Sequence, residues 1–158
     1  MQNSGEGVSP ARIQRKRLSH ERPSWIPEDT VYFITVCCVP KGVNQLCKPD
    51  VASKVFETIA FRQGRGDWRV HLCVLMPDHV HALVFFPLQA DMRKIVFDWK
   101  QSVARRTGVA WQRDFFDHRL RDDENRIAKA HYIRMNPVRK GLVETMGAWP
   151  YIWPKQKE

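Results

Sequence analysis

Four side chains in this sequence have the types and spacing to do chemistry together: His79, His81, Tyr132 and Asn136. His79 and His81 are two apart in an apolar run (HVHALVFF, 79–86), so on a strand both imidazoles leave the same face. Two neighbouring imidazoles offer two lone pairs without negative charge, a donor set for one divalent cation. On an arbitrary strand such a pair is more often packing. Here it follows a tight Pro77–Asp78 turn at a strand start, where side chains reach an open cleft. Tyr132 and Asn136 are four apart, which on a helix places them on one side, a turn from each other. A phenol titrates near pH ~10 and is a weak nucleophile without help. A cation held against a phosphodiester supplies that help by polarising the phosphate. Attack by the Tyr132 oxygen on phosphorus would give a phosphotyrosine and release a 3′-hydroxyl. The bond energy stays in that link, so another 3′-hydroxyl can reverse the step.

The elements that must position these groups are legible in the pattern. Residues 31–39 (VYFITVCCV) are β-branched and aromatic and read as a buried strand, stopped by Pro40–Lys41–Gly42. Val51, Val55, Phe56 and Ile59 fall at helical spacing within 51–62, and Gly64 to Asp67 break that helix. Residues 68–76 alternate as a second strand, and 79–86 form a third, its hairpin partner. Asp91 is placed to cap a helix carrying Met92, Ile95, Val96, Trp99 and Val103, with Arg105, Arg106 and Gly108 as its stop signal. Residues 114–120 supply a short fourth strand. A last helix starts at Asp122 and runs to about Asn136, since Pro137 disfavours helical geometry in the residue before it. On that helix Asn125, Ala128, Lys129, Tyr132 and Asn136 share one side, and Ile127, Ala130 and Ile133 a more apolar one. The order predicts an α+β fold, a ferredoxin-like βαββαβ antiparallel sheet with helices on it and an extra C-terminal helix bearing Tyr132.

Length and charge bound the rest. The chain of 158 residues fits one domain, read as 26–158, preceded by a basic arm at 1–25 whose Arg12, Arg15, Lys16 and Arg17 are expected to contact DNA, with a solvated extension as the alternative. With 26 basic and 17 acidic residues the formal charge is +9, which favours an anionic partner such as nucleic acid. Cys37, Cys38, Cys47 and Cys73 include no CxxC pair, so a zinc ribbon or thioredoxin-like site is not expected and the thiols read as small hydrophobes. No apolar run reaches membrane-span length, and the expected location is cytoplasmic and nucleoid-associated. Among weaker candidates, Lys129 is a phosphate contact, and Lys100 and Gln101 line a DNA groove. Asp117, His118 and Arg119 read as a structural cluster, with a DNA contact as the alternative. His131 points about 100° away from Tyr132 on the helix and takes no part in the chemistry. His71 is a packing or surface residue.

The stretches MPDHVHALV (76–84), WQRDFFDHRLRDDENRIAKAHYIRMNPVRKGLV (111–143) and VYFITVCC (31–38) resemble the REP-associated tyrosine transposases, single-tyrosine HUH endonucleases. The resemblance covers roughly residues 25–150 and implies that His79, His81 and Asn136 hold a divalent ion and that Tyr132 is the nucleophile. It implies Mg²⁺ or Mn²⁺ as the cofactor, although two imidazoles and an amide oxygen by themselves suit Mn²⁺ or Zn²⁺ better. The implied substrate is single-stranded DNA beside a REP-like hairpin, cut and joined by a monomer working in cis. Asp78 stands where the family has Asn, which adds a charge beside the site and is expected to modulate metal affinity. The aromatic stretch 149–153 resembles the family's tail only loosely and is assigned no role. Two rivals remain: a hairpin-binding protein that has lost turnover, and a zinc hydrolase, which lacks a general base at a motif position.

Overall fold

A computed structural model describes residues 29–155; the arm at 1–25, with Arg12, Arg15, Lys16 and Arg17, lies outside the described residues. The elements in order are β1 (Val31–Cys37), α1 (Pro49–Gly64), β2 (Arg69–Met76), β3 (His79–Phe85), α2 (Met92–Thr107), β4 (Phe116–Arg119), α3 (Asp123–Arg134), α4 (Asn136–Arg139) and β5 (Ile152–Trp153). The sheet runs β4-β1-β3-β2-β5, and every neighbouring pair is antiparallel. The first four strands and first two helices follow the expected βαββαβ order. Capping agrees as well: Asp91 accepts from Lys94 N at 3.0 Å, Asp122 accepts from Asn125 N at 2.8 Å, and Gly108 ends α2 at φ 77°. That left-handed φ suits a residue without a Cβ.

Strand alternation sorts the sheet into two faces. Tyr32, Ile34, Val36, Val80, Ala82 and Val84 join one core with residues of α1 and α2, among them Val55, Ile59, Val96 and Trp99. Val31, Phe33, Val74, Met76 and Leu83 join a smaller core capped by Ile133 of α3. The β2 strand does not alternate through its length. A register shift between Val70 and Leu72 sends Val70 to the first core and Leu72 to the second. An inserted residue reverses side-chain parity, which a pattern of apolar residues does not reveal. Ile127, expected on the apolar side of its helix, is 73% exposed and joins neither core. Ile133 is the one fully buried residue of that helix.

Two expectations are corrected. The final helix ends at Arg134, and Asn136 begins the separate turn α4 with Pro137 in its first turn, where a missing N–H is harmless. The stretch 149–153, to which no role was assigned, covers the outer edge of β2. Trp149 Nε1 donates to Leu75 O at 3.0 Å, Leu75 N donates to Tyr151 O at 2.9 Å, and Ile152 and Trp153 pair with Val74 and Cys73. Lys100 lies on α2, on the sheet face opposite the histidines, where it borders a separate cleft with Arg93, Lys94 and Arg113. It is buried, and its ammonium donates to Gln112 O at 2.6 Å and Arg113 O at 3.2 Å. Burial pushes its pKa down, partly opposed by Asp114 and Cys37. Lys100→Met is expected to leave two carbonyls without a donor and lower stability by about 1–3 kcal/mol. A thermal melt checks this, with an expected fall of several degrees.

Candidate active site

The β3 strand starts with His79 and carries His81 on the face that also bears Leu83, and so on the face where α3 packs. The two Nε2 atoms lie 3.1 Å apart. Both opposite nitrogens are engaged: His79 Nδ1 meets Asp78 Oδ1 at 2.7 Å, and His81 Nδ1 meets Thr35 Oγ1 at 3.0 Å. Asp78 is fixed in turn, because its Oδ2 accepts from Gly42 N at 2.8 Å. Burial alone would push the Asp78 carboxyl up, but the Gly42 N–H and His79 hold it below the usual carboxylate range. A carboxylate at Nδ1 keeps the proton there and leaves the His79 Nε2 lone pair free.

Thr35 is the residue that sequence reading missed. It sits directly opposite His81 in the β1–β3 register, a pairing that only the sheet reveals. Its hydroxyl can donate to or accept from His81 Nδ1, so the imidazole can take either tautomer. With Nδ1 protonated on both rings, each Nε2 carries a free lone pair 3.1 Å from the other. Burial, then the positive fields of His79, Arg139 and Lys129, push the His81 pKa down to about 3, so its ring is neutral at neutral pH.

The donor set fits one divalent ion. Two nitrogens on adjacent corners of an octahedron, each about 2.1 Å from the metal, are ~3.0 Å apart. No group of three or more His, Cys, Asp or Glu able to hold a metal ion gathers among the described residues. Burial first, with Asp78 adding, pushes the Cys38 and Cys47 thiols up to about 12, which keeps them protonated at neutral pH. Asp78→Asn removes the charge that makes His79 a stronger donor. We expect Mn²⁺ affinity to fall about 10-fold, measured by calorimetry, while the fold is retained.

Tyr132 and Asn136 do not share an exposed face as the single-helix reading expected. Tyr132 is 51% exposed, whereas Asn136 is 7% exposed at the start of α4. Arg139 joins them. Its Nη2 donates to Tyr132 O at 2.6 Å and to Asn136 Oδ1 at 3.3 Å, and its guanidinium lies 4.0 Å from the Tyr132 ring centroid. Because guanidinium only donates, the Asn136 atom facing it must be the oxygen. Arg139 thereby spans the break between α3 and α4.

Two side chains, Lys129 and Phe33, link the tyrosine to His81. Lys129 Nζ lies 5.1 Å from the Tyr132 ring centroid and 4.8 Å from that of Phe33, and Phe33 lies 5.4 Å from His81, ring to ring. Beside Tyr132 opens a cleft of about 520 Å³ between β4 and α3, lined by His118, Arg121, Asn125 and Lys129 among others. Its lining supplies several cationic or neutral polar groups, suited to an anionic ligand. His131 lies exposed on α3, and its carbonyl accepts from Met135 N at 3.0 Å where that helix ends.

The family model described as "Transposase IS200 like" matches residues 30–134. A Haemophilus influenzae protein provisionally named a REP-associated tyrosine transposase is 33% identical over 100 residues, covering 52% of this chain and 56% of that protein. The REP-associated tyrosine transposase of Escherichia coli is 25% identical over 87 residues, covering 53% of each. The chain thus spans about half the length of the curated relatives it matches. Among solved structures, that of a REP-associated tyrosine transposase bound to a REP hairpin matches with a TM-score of 0.72 at 22% identity, covering 85% of this chain and 82% of that one. A Deinococcus radiodurans protein provisionally described as a transposase matches with a TM-score of 0.51 at 17% identity, covering 72% and 95%. At these identities the two structures speak to the fold. No helix among the described residues is long and apolar enough to cross a membrane. Matched over more than half of its length by the family's sequence pattern, and built on the fold of a solved transposase, this chain belongs to the IS200-like transposase family.

Proposed function

We propose that the protein nicks and rejoins single-stranded DNA beside a hairpin through a covalent 5′-phosphotyrosine at Tyr132. The observation that carries this reading is the approach of His79 Nε2 and His81 Nε2 to 3.1 Å on the sheet face against which α3, the helix bearing Tyr132, packs. In this reading His79, His81 and the Asn136 oxygen hold Mg²⁺ or Mn²⁺, and the ion when bound supplies Lewis-acid polarisation of the scissile phosphate. Asp78 and Thr35 orient the two imidazoles. Lys129 meets the phosphate charge, and its position over the Tyr132 ring keeps it beside the nucleophile. The Tyr132 oxygen forms a bond to phosphorus and loses its proton to solvent, while the bond from phosphorus to the 3′ oxygen breaks and that oxygen leaves as a hydroxyl. The same residues serve the reverse attack by a second 3′-hydroxyl, which restores the phosphodiester and frees Tyr132.

The hairpin substrate is supported by the relatives' names and by the hairpin-bound structural neighbour. The basic arm at 1–25, with Arg12, Arg15, Lys16 and Arg17, is proposed as an additional DNA contact. A monomer acting in cis is proposed, in keeping with the link from Tyr132 through Lys129 and Phe33 to His81 within one chain. The test is incubation with a hairpin oligonucleotide carrying a single-stranded flank, in Mn²⁺, followed by a denaturing gel. A protein band shifted by the mass of the cleaved DNA is expected. Retarded but uncut DNA in a native gel, with no covalent band, would favour the pure binder instead.

A further inference from the structure

We propose that Phe116, at the open edge of the sheet, is a stacking platform for a single-stranded base flanking the scissile phosphate. The inference rests on the nucleic-acid reading above but names a site which that reading does not use. Register places it. Phe116 pairs with Thr35, and Thr35 pairs with His81, so the three residues form one row across β4, β1 and β3. Residues opposite each other in a sheet share a face, so Phe116 projects on the histidine side. Two strand spacings separate it from His81, about 10 Å of backbone distance. That is a short reach for a nucleotide adjoining the reacting phosphate.

The ring is available and supported. Phe116 is 51% exposed on β4, which is the edge strand of the sheet. A large apolar ring on an open edge invites unwanted pairing and is ordinarily avoided. Phe33 supports it in an edge-to-face contact, with centroids 6.3 Å apart and planes at 68°, while half of the residue stays exposed. The same Phe33 carries Lys129 over its own ring and neighbours His81. His118, two residues along β4 and on the same face, opens into the cleft beside Tyr132, where Arg121 and Lys129 stand. An exposed aromatic face interleaved with cations is the arrangement that holds single-stranded nucleic acid, with bases stacking and phosphates meeting charge. The occupant that this charge and this ring favour together is a nucleotide of an unpaired strand.

The test compares the full chain with Phe116→Leu, which keeps apolar bulk against Phe33 and removes the π face, and with Phe116→Trp, which enlarges it. Affinity is measured by fluorescence anisotropy without divalent ion, on a blunt hairpin and on the same hairpin with a single-stranded flank. Phe116→Leu is expected to weaken binding of the flanked hairpin by about 5-fold to about 100-fold, to leave the blunt hairpin unchanged, and Phe116→Trp to bind both normally. A 2-aminopurine at the flanking position is expected to be quenched by the natural protein and to brighten with Phe116→Leu. Equal losses on both oligonucleotides, or none on either, overturn the proposal. If the natural protein forms the covalent adduct and Phe116→Leu binds as it does, only the stacking site falls. If the natural protein binds neither oligonucleotide, the nucleic-acid reading falls and the stacking site with it.

Discussion

Tyr132→Phe is expected to abolish the covalent protein–DNA adduct while leaving hairpin affinity within about two-fold. The change removes one oxygen, and that oxygen is the proposed nucleophile; loss of a nucleophile costs on the order of 10⁴-fold or more in rate. The ring stays, and with it the packing of Arg139 at 4.0 Å and Lys129 at 5.1 Å. Because Tyr132 is half exposed, stability should change by less than about 0.5 kcal/mol. A denaturing gel for the adduct and anisotropy for binding make the measurement. An adduct of undiminished yield with Tyr132→Phe would move the nucleophile elsewhere. Loss of binding alongside the adduct would show that the tyrosine holds DNA.

His81→Ala is expected to remove both strand cleavage and its dependence on added Mn²⁺, with the Mn²⁺ affinity falling by about two orders of magnitude or more. It should also lower stability by about 1–2 kcal/mol. The ring packs on Phe33 at 5.4 Å and meets the Thr35 hydroxyl at 3.0 Å, so its removal leaves a gap and an unpaired hydroxyl. His79→Ala separates the two effects. Its imidazole stands at the strand start against Asp78, so it should lose metal affinity equally with a smaller stability change. Calorimetric titration with Mn²⁺ beside thermal melts of both variants decides the matter. Unchanged Mn²⁺ affinity in both would overturn the assignment of these imidazoles as ligands.

Much of this molecule is written locally. The caps at Asp91 and Asp122 and the stop at Gly108 depend on backbone groups a few residues away, and they lie where the pattern placed them. His79 and His81 share a face because strand geometry repeats every second residue, whatever the rest of the fold does. The break at Asn136 is half legible: Pro137 announces an end, but not that the chain turns at once into α4 and carries Asn136 inward. Lys100 is buried for a related reason. A lysine among polar neighbours looks exposed on a helical wheel, yet α2 presses that side against the segment carrying Gln112 and Arg113.

By itself the sequence determined the order of the first four strands and three helices, the paired imidazoles and the tyrosine on a late helix, since each follows from contacts within a few residues. Only the tertiary structure decided what those groups meet. Thr35 lies 46 positions from His81 and became its partner through β-sheet register. The shift between Val70 and Leu72 set which core each of them enters, and Arg139 tied Tyr132 to Asn136 across a helix break. Phe116 came into line with the histidines across two strands. The physical reason is common to all of them. Periodicity fixes the direction of a side chain relative to its own backbone, whereas its partner is fixed by non-local packing and pairing, which local spacing does not encode.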